Sequence, residues 1–234
     1  MKPQDSHSHF CMVVVVMPVK GTLGRVNVDR PGPGEELNAG EPTVPRQAAT
    51  VIVLRGGDSR LEVLLVKRNP ASRFMGGAWV FPGGAVDAAD GEHDAAHRAA
   101  GVREVEEEAG LALPDADALV RFSRWITPAQ VRIRYDTHFF LAAAPEGQQP
   151  RPDGAETVDA RWYTPAGALD AYRDGEIELV FSTIKHLEAL VPFGSADELL
   201  AWAQGREVVP VEPRVVVTGE VARIVMPGEP GYAA

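Results

Sequence analysis

The segment Arg103-Glu104-Val105-Glu106-Glu107-Glu108-Ala109-Gly110-Leu111 holds residue types whose spacing could do chemistry. Glu104, Glu107 and Glu108 fall at i, i+3 and i+4, so on a helix they share one face. Left unneutralised, each like-charged pair of this kind costs about 0.2 to 0.5 kcal/mol. A helix that carries this cluster and must also bury one face calls for a cation, and a hard divalent ion with oxygen ligands fits. A solvated acidic face is the alternative that a bare run of glutamates would suggest.

Several elements must position these groups. A helix is expected over residues 94–109, with Ala99, Val102, Val105 and Ala109 forming one apolar stripe and Gly110 stopping it. Ahead of it, an extended run over residues 78–81 ends at Pro82-Gly83-Gly84. Residues 48–54 and 61–66 read as strands joined through Arg55-Gly56-Gly57-Asp58-Ser59, a hairpin connection. Further strands are expected over 119–126, 138–142 and 158–162, and helices over 165–172, 182–190 and 196–204. Residues 214–217 and 221–225 around Thr218-Gly219 resemble a terminal hairpin. The main domain is expected to run from Arg46 to Ala234. Residues 1–45, with a Pro/Gly/Glu-rich stretch over 29–36, read as an extension or linker.

With 45% hydrophobic and 24% charged residues, the 234-residue chain reads as an ordinary globular protein with one sizeable core. Its net charge of -10 argues against a surface that tracks a nucleic-acid polymer. A small anionic substrate is compatible with that charge, because a bound divalent cation reverses the local field. Cys11 is the only cysteine, which excludes an intrachain disulfide and points to the cytoplasm. The apolar run over residues 10–16 is too short to span a bilayer and is closely followed by Pro18, so no membrane role is expected. No His-Glu-x-x-His pattern occurs, and His138 in an expected strand reads as a packed residue.

Residues 103–111 match R-E-U-x-E-E-x-G-U, the second half of the Nudix box, downstream of Gly83-Gly84. The chain therefore resembles the Nudix hydrolase superfamily. One position departs from the box: its glutamate between the glycine and the arginine is missing, with Ala95 eight residues before Arg103. Eighteen residues separate Gly84 from Arg103, five more than in the pattern, so residues 86–93 include an insertion in which Glu92 substitutes loosely. The resemblance implies an α/β (α+β) fold, an α/β/α sandwich with a mixed β-sheet. It also implies Mg²⁺ or Mn²⁺ held by Glu104, Glu107, Glu108 and the Gly83 carbonyl, with Arg103 orienting a neighbouring carboxylate. Catalysis would rest on Glu107, Glu108, Arg103 and Glu156, the last a base or extra ligand with Asp153 as competitor.

Upstream, residues 64–84 follow the coenzyme A diphosphatase spacing L-L-T-x-R-S-x3-R-x3-G-x3-F-P-G-G, with Val66 and Asn69 as departures. Arg68 and Arg73 are the expected substrate-binding residues, since guanidinium groups suit phosphates through paired donors. Residues 134–142 and 226–232 are similar to the acyl-coenzyme A hydrolase branch. The expected activity is hydrolysis of coenzyme A or acyl-coenzyme A to 3′,5′-ADP and 4′-phosphopantetheine. A Nudix hydrolase of ADP-ribose, NADH or another nucleoside diphosphate derivative stays open, as does a catalytically silent nucleotide-binding module. A homodimer follows from family habit alone.

Overall fold

A computed structural model describes residues 17–18, 38, 40–218 and 221–232. In chain order the elements are β1 (Met17–Pro18), β2 (Arg46–Arg55), β3 (Glu62–Arg68), β4 (Trp79–Val80) and β5 (Gly83–Ala85), then a 3-10 turn (Ala88–Asp90). They continue with α1 (His93–Ala109), β6 (Val120–Ile126), β7 (Tyr135–Ala143), β8 (Thr157–Tyr163), α2 (Pro165–Arg173), α3 (Phe181–Leu190) and α4 (Ala196–Ala203). Short β9 (Pro210–Val211) precedes the hairpin of β10 (Arg214–Thr218) and β11 (Val221–Val225). The expected run over residues 10–16 and the hairpin residue Gly219 lie outside the described residues.

The large sheet follows the order β4-β3-β2-β7-β6-β9, with β5 on β2 and β8 on β3. It is mixed, because β2 and β7 run parallel over nine registered pairs while β3, β5 and β6 pair antiparallel with their neighbours. The strands β2 and β3 pair only at Leu54 and Arg55, and beyond that point they part. The gap is occupied by β4, which pairs β3, and by β5, which pairs β2. The Phe81-Pro82 link between them is tied down where the Val51 N–H donates to the Pro82 carbonyl at 2.9 Å. This split brings Gly83 and Gly84 of β5 to the α1 face of the sheet.

Alternation along β2 and β3 feeds two cores, as continuous apolar runs do in a strand covered on both faces. Ile52, Leu54, Val63 and Leu65 face α2, α3 and α4, where Leu169, Leu187, Leu190 and Leu199 close the layer. Val51, Val53, Leu64 and Val66 face α1 and pack with Ala100, Val105, Ala109 and Phe140. Each fully buried aliphatic side chain contributes roughly 1.5 to 3 kcal/mol, so both layers are needed to hold the sheet. The architecture is an α/β/α sandwich.

The packed face of α1 differs from the expected stripe. Val105 and Ala109 are buried, but the remaining buried positions are Ala96, Ala100 and Gly101, with Glu104 and Glu108 beside them. The helix lies so close to β2 that a Cβ at Gly101 would stand 2.9 Å from Val51 Cγ2. Small residues therefore meet the sheet most closely, Val102 packs at the edge of the same core, and Glu104 and Glu108 turn inward. A second, three-stranded sheet in the order β1-β11-β10 places Met17 and Pro18 opposite Ala222 and Val221. Val131 and Val215 pack together with Ile224 against them. Among the described residues no helix is long and apolar enough to cross a membrane.

Candidate functional site

Strand β5 and the C-terminal half of α1 build the site together. The Gly83 N–H donates to Glu108 Oε2 at 3.0 Å, and Gly84 lies directly against the carboxylate of Glu104. A Cβ at Gly84 would collide with that carboxylate, and one at Gly83 would come within 2.5 Å of the Ala49 carbonyl oxygen. The two glycines are required by proximity, so the pair seen in the sequence is a packing demand of this turn. Gly110, at φ 63°, ends α1 with its N–H on the Glu106 carbonyl.

Glu104 and Glu108 stand one turn apart on a cleft of about 340 Å³ that is also lined by Arg68, Gly83, Gly84 and Glu156. Only 2% of Glu108 is exposed. Burial pushes its carboxyl up to about 7; the Gly83 N–H and Arg68 oppose that rise, and the nearby charges of Glu104 and Glu156 add to it. Burial also raises the Glu104 carboxyl, against the pull of Arg103. Arg68 reaches Glu108 at 3.5 Å and donates through Nε to the Phe74 carbonyl, so its cationic compensation is loose.

Arg103 gathers the acidic groups behind this cleft. Its Nε and Nη2 each reach Asp90 at 3.0 Å, Nη2 also meets the Ala85 carbonyl, and Nη1 is shared between Glu104 at 2.7 Å and Glu107 at 2.9 Å. The guanidinium in turn holds the Asp90 carboxyl below the usual carboxylate range. Glu107 is 58% exposed and rests on Arg103 at the rim, outside the residues that line the cleft. Among the described residues no three His, Cys, Asp or Glu side chains converge as a ready-made ion cage.

Glu156 reaches the cleft from the loop before β8, and that loop is pinned from both sides. Asn69 accepts nothing from Glu156 itself; its N–H donates to the Glu156 carbonyl at 2.8 Å and its Nδ2 to the Ala155 carbonyl at 2.9 Å. Asp153 accepts from the N–H groups of Glu156 and Thr157, and Thr157 Oγ1 donates to the Glu108 carbonyl at 2.6 Å. Asp153 is thus engaged as a turn residue, and Asn69, a departure from the motif, holds the loop that presents Glu156.

The structure brings Glu104, Glu108, Glu156, Arg68 and Gly83 to one cleft, with Arg103 and Glu107 at its back and rim. Arg73 is exposed and does not line it. Two further residues had escaped notice. Asp90, within the insertion, occupies the bidentate position on Arg103, while Glu92 is 88% exposed beside His93. Phe74 lines the cleft and also an adjoining apolar cavity of about 120 Å³ walled by Trp125, Phe139 and Phe181. The signal for Asp90 was the turn Asp87-Ala-Ala-Asp90-Gly91, in which the Asp87 N–H donates to Asp90 Oδ2 and Gly91 adopts φ 97°. His138 lies away from the cleft, stacked on His97 with ring centroids 3.9 Å apart.

A family profile described as NUDIX domain matches residues 44–181. The human acyl-coenzyme A diphosphatase NUDT19 is 31% identical over 124 residues, covering 51% of this chain and 33% of that protein. The putative nudix hydrolase 7 of Caenorhabditis elegans is 28% identical over 170 residues, covering 57% of this chain and 56% of that protein. The matched stretches thus span from a third to just over half the length of these curated relatives. The crystal structure of a NUDIX hydrolase from Alicyclobacillus acidocaldarius superposes with a TM-score of 0.62 at 29% identity, over 70% of this chain and 99% of that one.

Proposed function

This chain belongs to the NUDIX domain family, and from that premise we propose that it hydrolyses a diphosphate linkage in a nucleoside diphosphate derivative, with coenzyme A or acyl-coenzyme A as substrate. The observation that carries the reading is a pair of water-withdrawn carboxylates, Glu104 and Glu108, set against the Gly83-Gly84 turn in a cleft that Glu156 also enters. We assign the catalytic unit to residues 46–234 and read residues 1–45 as an extension or linker. The lone cysteine fits a reducing compartment such as the cytoplasm.

The donor set fits Mg²⁺ or Mn²⁺. Two carboxylates lie in a low-dielectric wall, Glu104 held by Arg103 and Glu108 faced only by the loosely placed Arg68, so a hard cation would relieve their mutual charge. Glu104, Glu107 and Glu108, with the Gly83 carbonyl, are the groups that would hold it. When bound, such an ion neutralises diphosphate charge and acidifies water for attack at phosphorus.

The chain's own residues do the rest. Arg103 fixes Glu104 and Glu107 through charge-assisted bonds and so limits the motions open to these carboxylates. Glu156, exposed and facing Glu104 and Glu108, accepts the proton of the attacking water. Arg68 sits where the diphosphate oxygens would approach, and Arg73 on its exposed loop supplies a further cation for the phosphates. The apolar cavity continuous with the cleft suits the uncharged arm of the substrate, which favours coenzyme A over a dinucleotide with two polar ends.

Mass spectrometry of products from coenzyme A, acetyl-coenzyme A, NADH, ADP-ribose and deoxynucleoside triphosphates, with and without chelator, tests the assignment. The expected products are 3′,5′-ADP and (acyl-)4′-phosphopantetheine with the thioester intact. A preference for ADP-ribose or NADH would replace the substrate and keep the chemistry. Absence of turnover on the whole panel would favour a silent nucleotide-binding module.

A further inference from the structure

Among the described residues, the wall of the apolar cavity of about 120 Å³ beside the cleft carries no charged side chain, and its polar members are the hydroxyl-bearing Thr127, Thr137 and Ser182. Phe74, Met75, Phe139, Val180 and Ser182 line the cleft as well, so the two spaces are continuous. Pro213, Val215 and Ile224 line the cavity and not the cleft, and all three lie beyond residues 44–181, the stretch that matches the family profile. We propose that this cavity, completed by the terminal hairpin, holds the branched head of the substrate's uncharged arm, the quaternary dimethyl carbon that stands one methylene from the diphosphate oxygen.

The hairpin is fixed where it meets the loop between β6 and β7. Arg134, buried at the end of that loop, donates through Nε to the Thr127 carbonyl at 3.0 Å, through Nη1 to the Thr43 carbonyl at 2.8 Å and through Nη2 to Glu212 at 2.7 Å. All three of its nitrogens are engaged, so its role is to anchor the chain just ahead of β10. The Val215 N–H donates to Gln130 Oε1 at 3.4 Å, and the Tyr232 hydroxyl donates to the Glu212 carbonyl at 2.8 Å. Val131 and Val215 pack together with Ile224 against them, as a small core of their own. Trp125 and Phe181, with ring centroids 6.3 Å apart, add aromatic surface to the same cavity.

The occupant follows from polarity, size and tether. A phosphate, a ribose or a base would set charges or hydrogen-bonding groups without partners against such a wall. An apolar cavity of roughly 150 Å³ holds a six-carbon ring, so one of about 120 Å³ suits about five carbons. In coenzyme A the arm leaves the diphosphate as a methylene, the dimethyl carbon and a hydroxyl-bearing carbon, which is five carbons and one hydroxyl. With the diphosphate at Glu104 and Glu108, this head is the first apolar group to pass Phe74 and Phe139, and its hydroxyl suits a wall whose polar groups are hydroxyls. An acyl group sits at the opposite end of the arm, beyond two amides, and falls outside the cavity. Selection therefore acts on the branch point beside the diphosphate.

This assignment rests on the coenzyme A reading above, so binding and turnover are read separately. Calorimetric titrations of the full chain with Mg²⁺ use two non-hydrolysable probes, the α,β-methylene analogues of the neopentyl and methyl β-esters of ADP. The neopentyl probe should bind about ten-fold or more tightly, because its four extra carbons are withdrawn from water. Val215→Phe, which fills the cavity, should abolish that preference, and Ile224→Ala, which removes part of the wall, should reduce it; thermal melts check that each variant is folded. Equal affinity for the two probes, affinity for neither, or a preference unchanged in whichever variants fold would overturn the assignment. Turnover of coenzyme A, acetyl-coenzyme A and hexanoyl-coenzyme A should be alike, and a hexanoyl preference erased by either variant would give the cavity to the acyl chain instead. A neopentyl preference in a protein that leaves coenzyme A uncleaved overturns the proposed reaction alone, whereas cleavage of coenzyme A without that preference overturns the cavity assignment alone.

Discussion

On one face of the large sheet, α1 presses Glu104 and Glu108 into a wall where burial raises both carboxyls; Glu104 is held by Arg103 at 2.7 Å, whereas the cation beside Glu108, Arg68, stands 3.5 Å away. On the other face, α3 buries His186 completely among Phe81, Phe122, Trp125 and Phe139. Its Nδ1 bonds the Ser182 carbonyl and its Nε2 bonds Ser123 Oγ, each at 2.6 Å. Both faces hide an ionisable group in low dielectric, and the outcomes diverge. The histidine is kept neutral with every ring nitrogen satisfied, which is how a core accommodates a polar side chain. The carboxylate is kept at the edge of ionisation with an oxygen turned to a cleft, an arrangement that weakens the fold and suits a ligand.

The sharpest way to break this comparison is Glu108→Gln. Amide for carboxylate keeps an acceptor for the Gly83 N–H and removes the charge. Turnover of the best substrate should fall by more than about 100-fold, beyond what loss of a supporting contact costs. In chelator at pH 8 the same variant should be more stable than the wild type, by roughly 1 to 3 kcal/mol, since a buried ionised carboxylate is no longer imposed. Urea unfolding alongside steady-state kinetics reads both. Loss of activity and stability together would make Glu108 a structural residue like His186.

The pH dependence of stability sharpens the same contrast, because the two groups act with opposite sign. His186, held down near 4 by burial, binds its proton in the unfolded chain first, so its contribution is complete above 6.5 and is lost as pH falls towards 4. His138, also lowered to about 4 by burial, adds in that direction. Glu108, raised from 4.5 to about 7, contributes most below 4.5 and loses that contribution as pH rises through 7. Each span is worth up to about 3 kcal/mol. Between 4.5 and 6.5 the two histidines outweigh Glu108, so wild-type stability should fall towards acid. His186→Gln, which leaves His138 against Glu108, should flatten that fall, and Glu108→Gln should steepen it, in unfolding curves from pH 4 to 8. Parallel slopes in the two variants would contradict the assignment.

What could be read in advance divides along the same line. The strands, the helices and the three layers were legible because alternation and the 3.6 period are written locally in residues such as 48–54 and 182–190. That Gly83, Gly84, Glu104 and Glu108 meet at one cleft was legible through the motif, and that Glu156 joins them through the family resemblance. The face of α1 was read in part: Val105 and Ala109 are buried and Val102 packs beside them, but Ala100 and Gly101, which let the helix approach the sheet, carry no bulk that would mark them in the sequence. The partner of Arg103 was missed for another reason. Spacing places a residue only when the chain between is regular, and here an inserted turn reverses direction at Gly91.

That missed partner gives the smallest and most discriminating expectation. Arg103 joins Asp90 on one edge of its fork to Glu104 and Glu107 on the other. If Asp90 only closed the turn, Asp90→Asn would lower stability and leave kinetics alone, since the amide keeps an acceptor for the Asp87 N–H. If it positions Arg103, the variant should lose about ten-fold in kcat, worth about 1.4 kcal/mol, with KM little changed. The melting temperature should move by only a few degrees, because the carboxylate is replaced by a group of the same size. Glu92→Gln, at an 88% exposed side chain four residues before α1's first buried position, should alter neither. Lengthening the carboxylate in Asp90→Glu should restore part of kcat, since a charge on the same edge of Arg103 is regained. Equal effects at Asp90 and Glu92 would show that the insertion is a spacer and that Arg103 is oriented by its own helix alone.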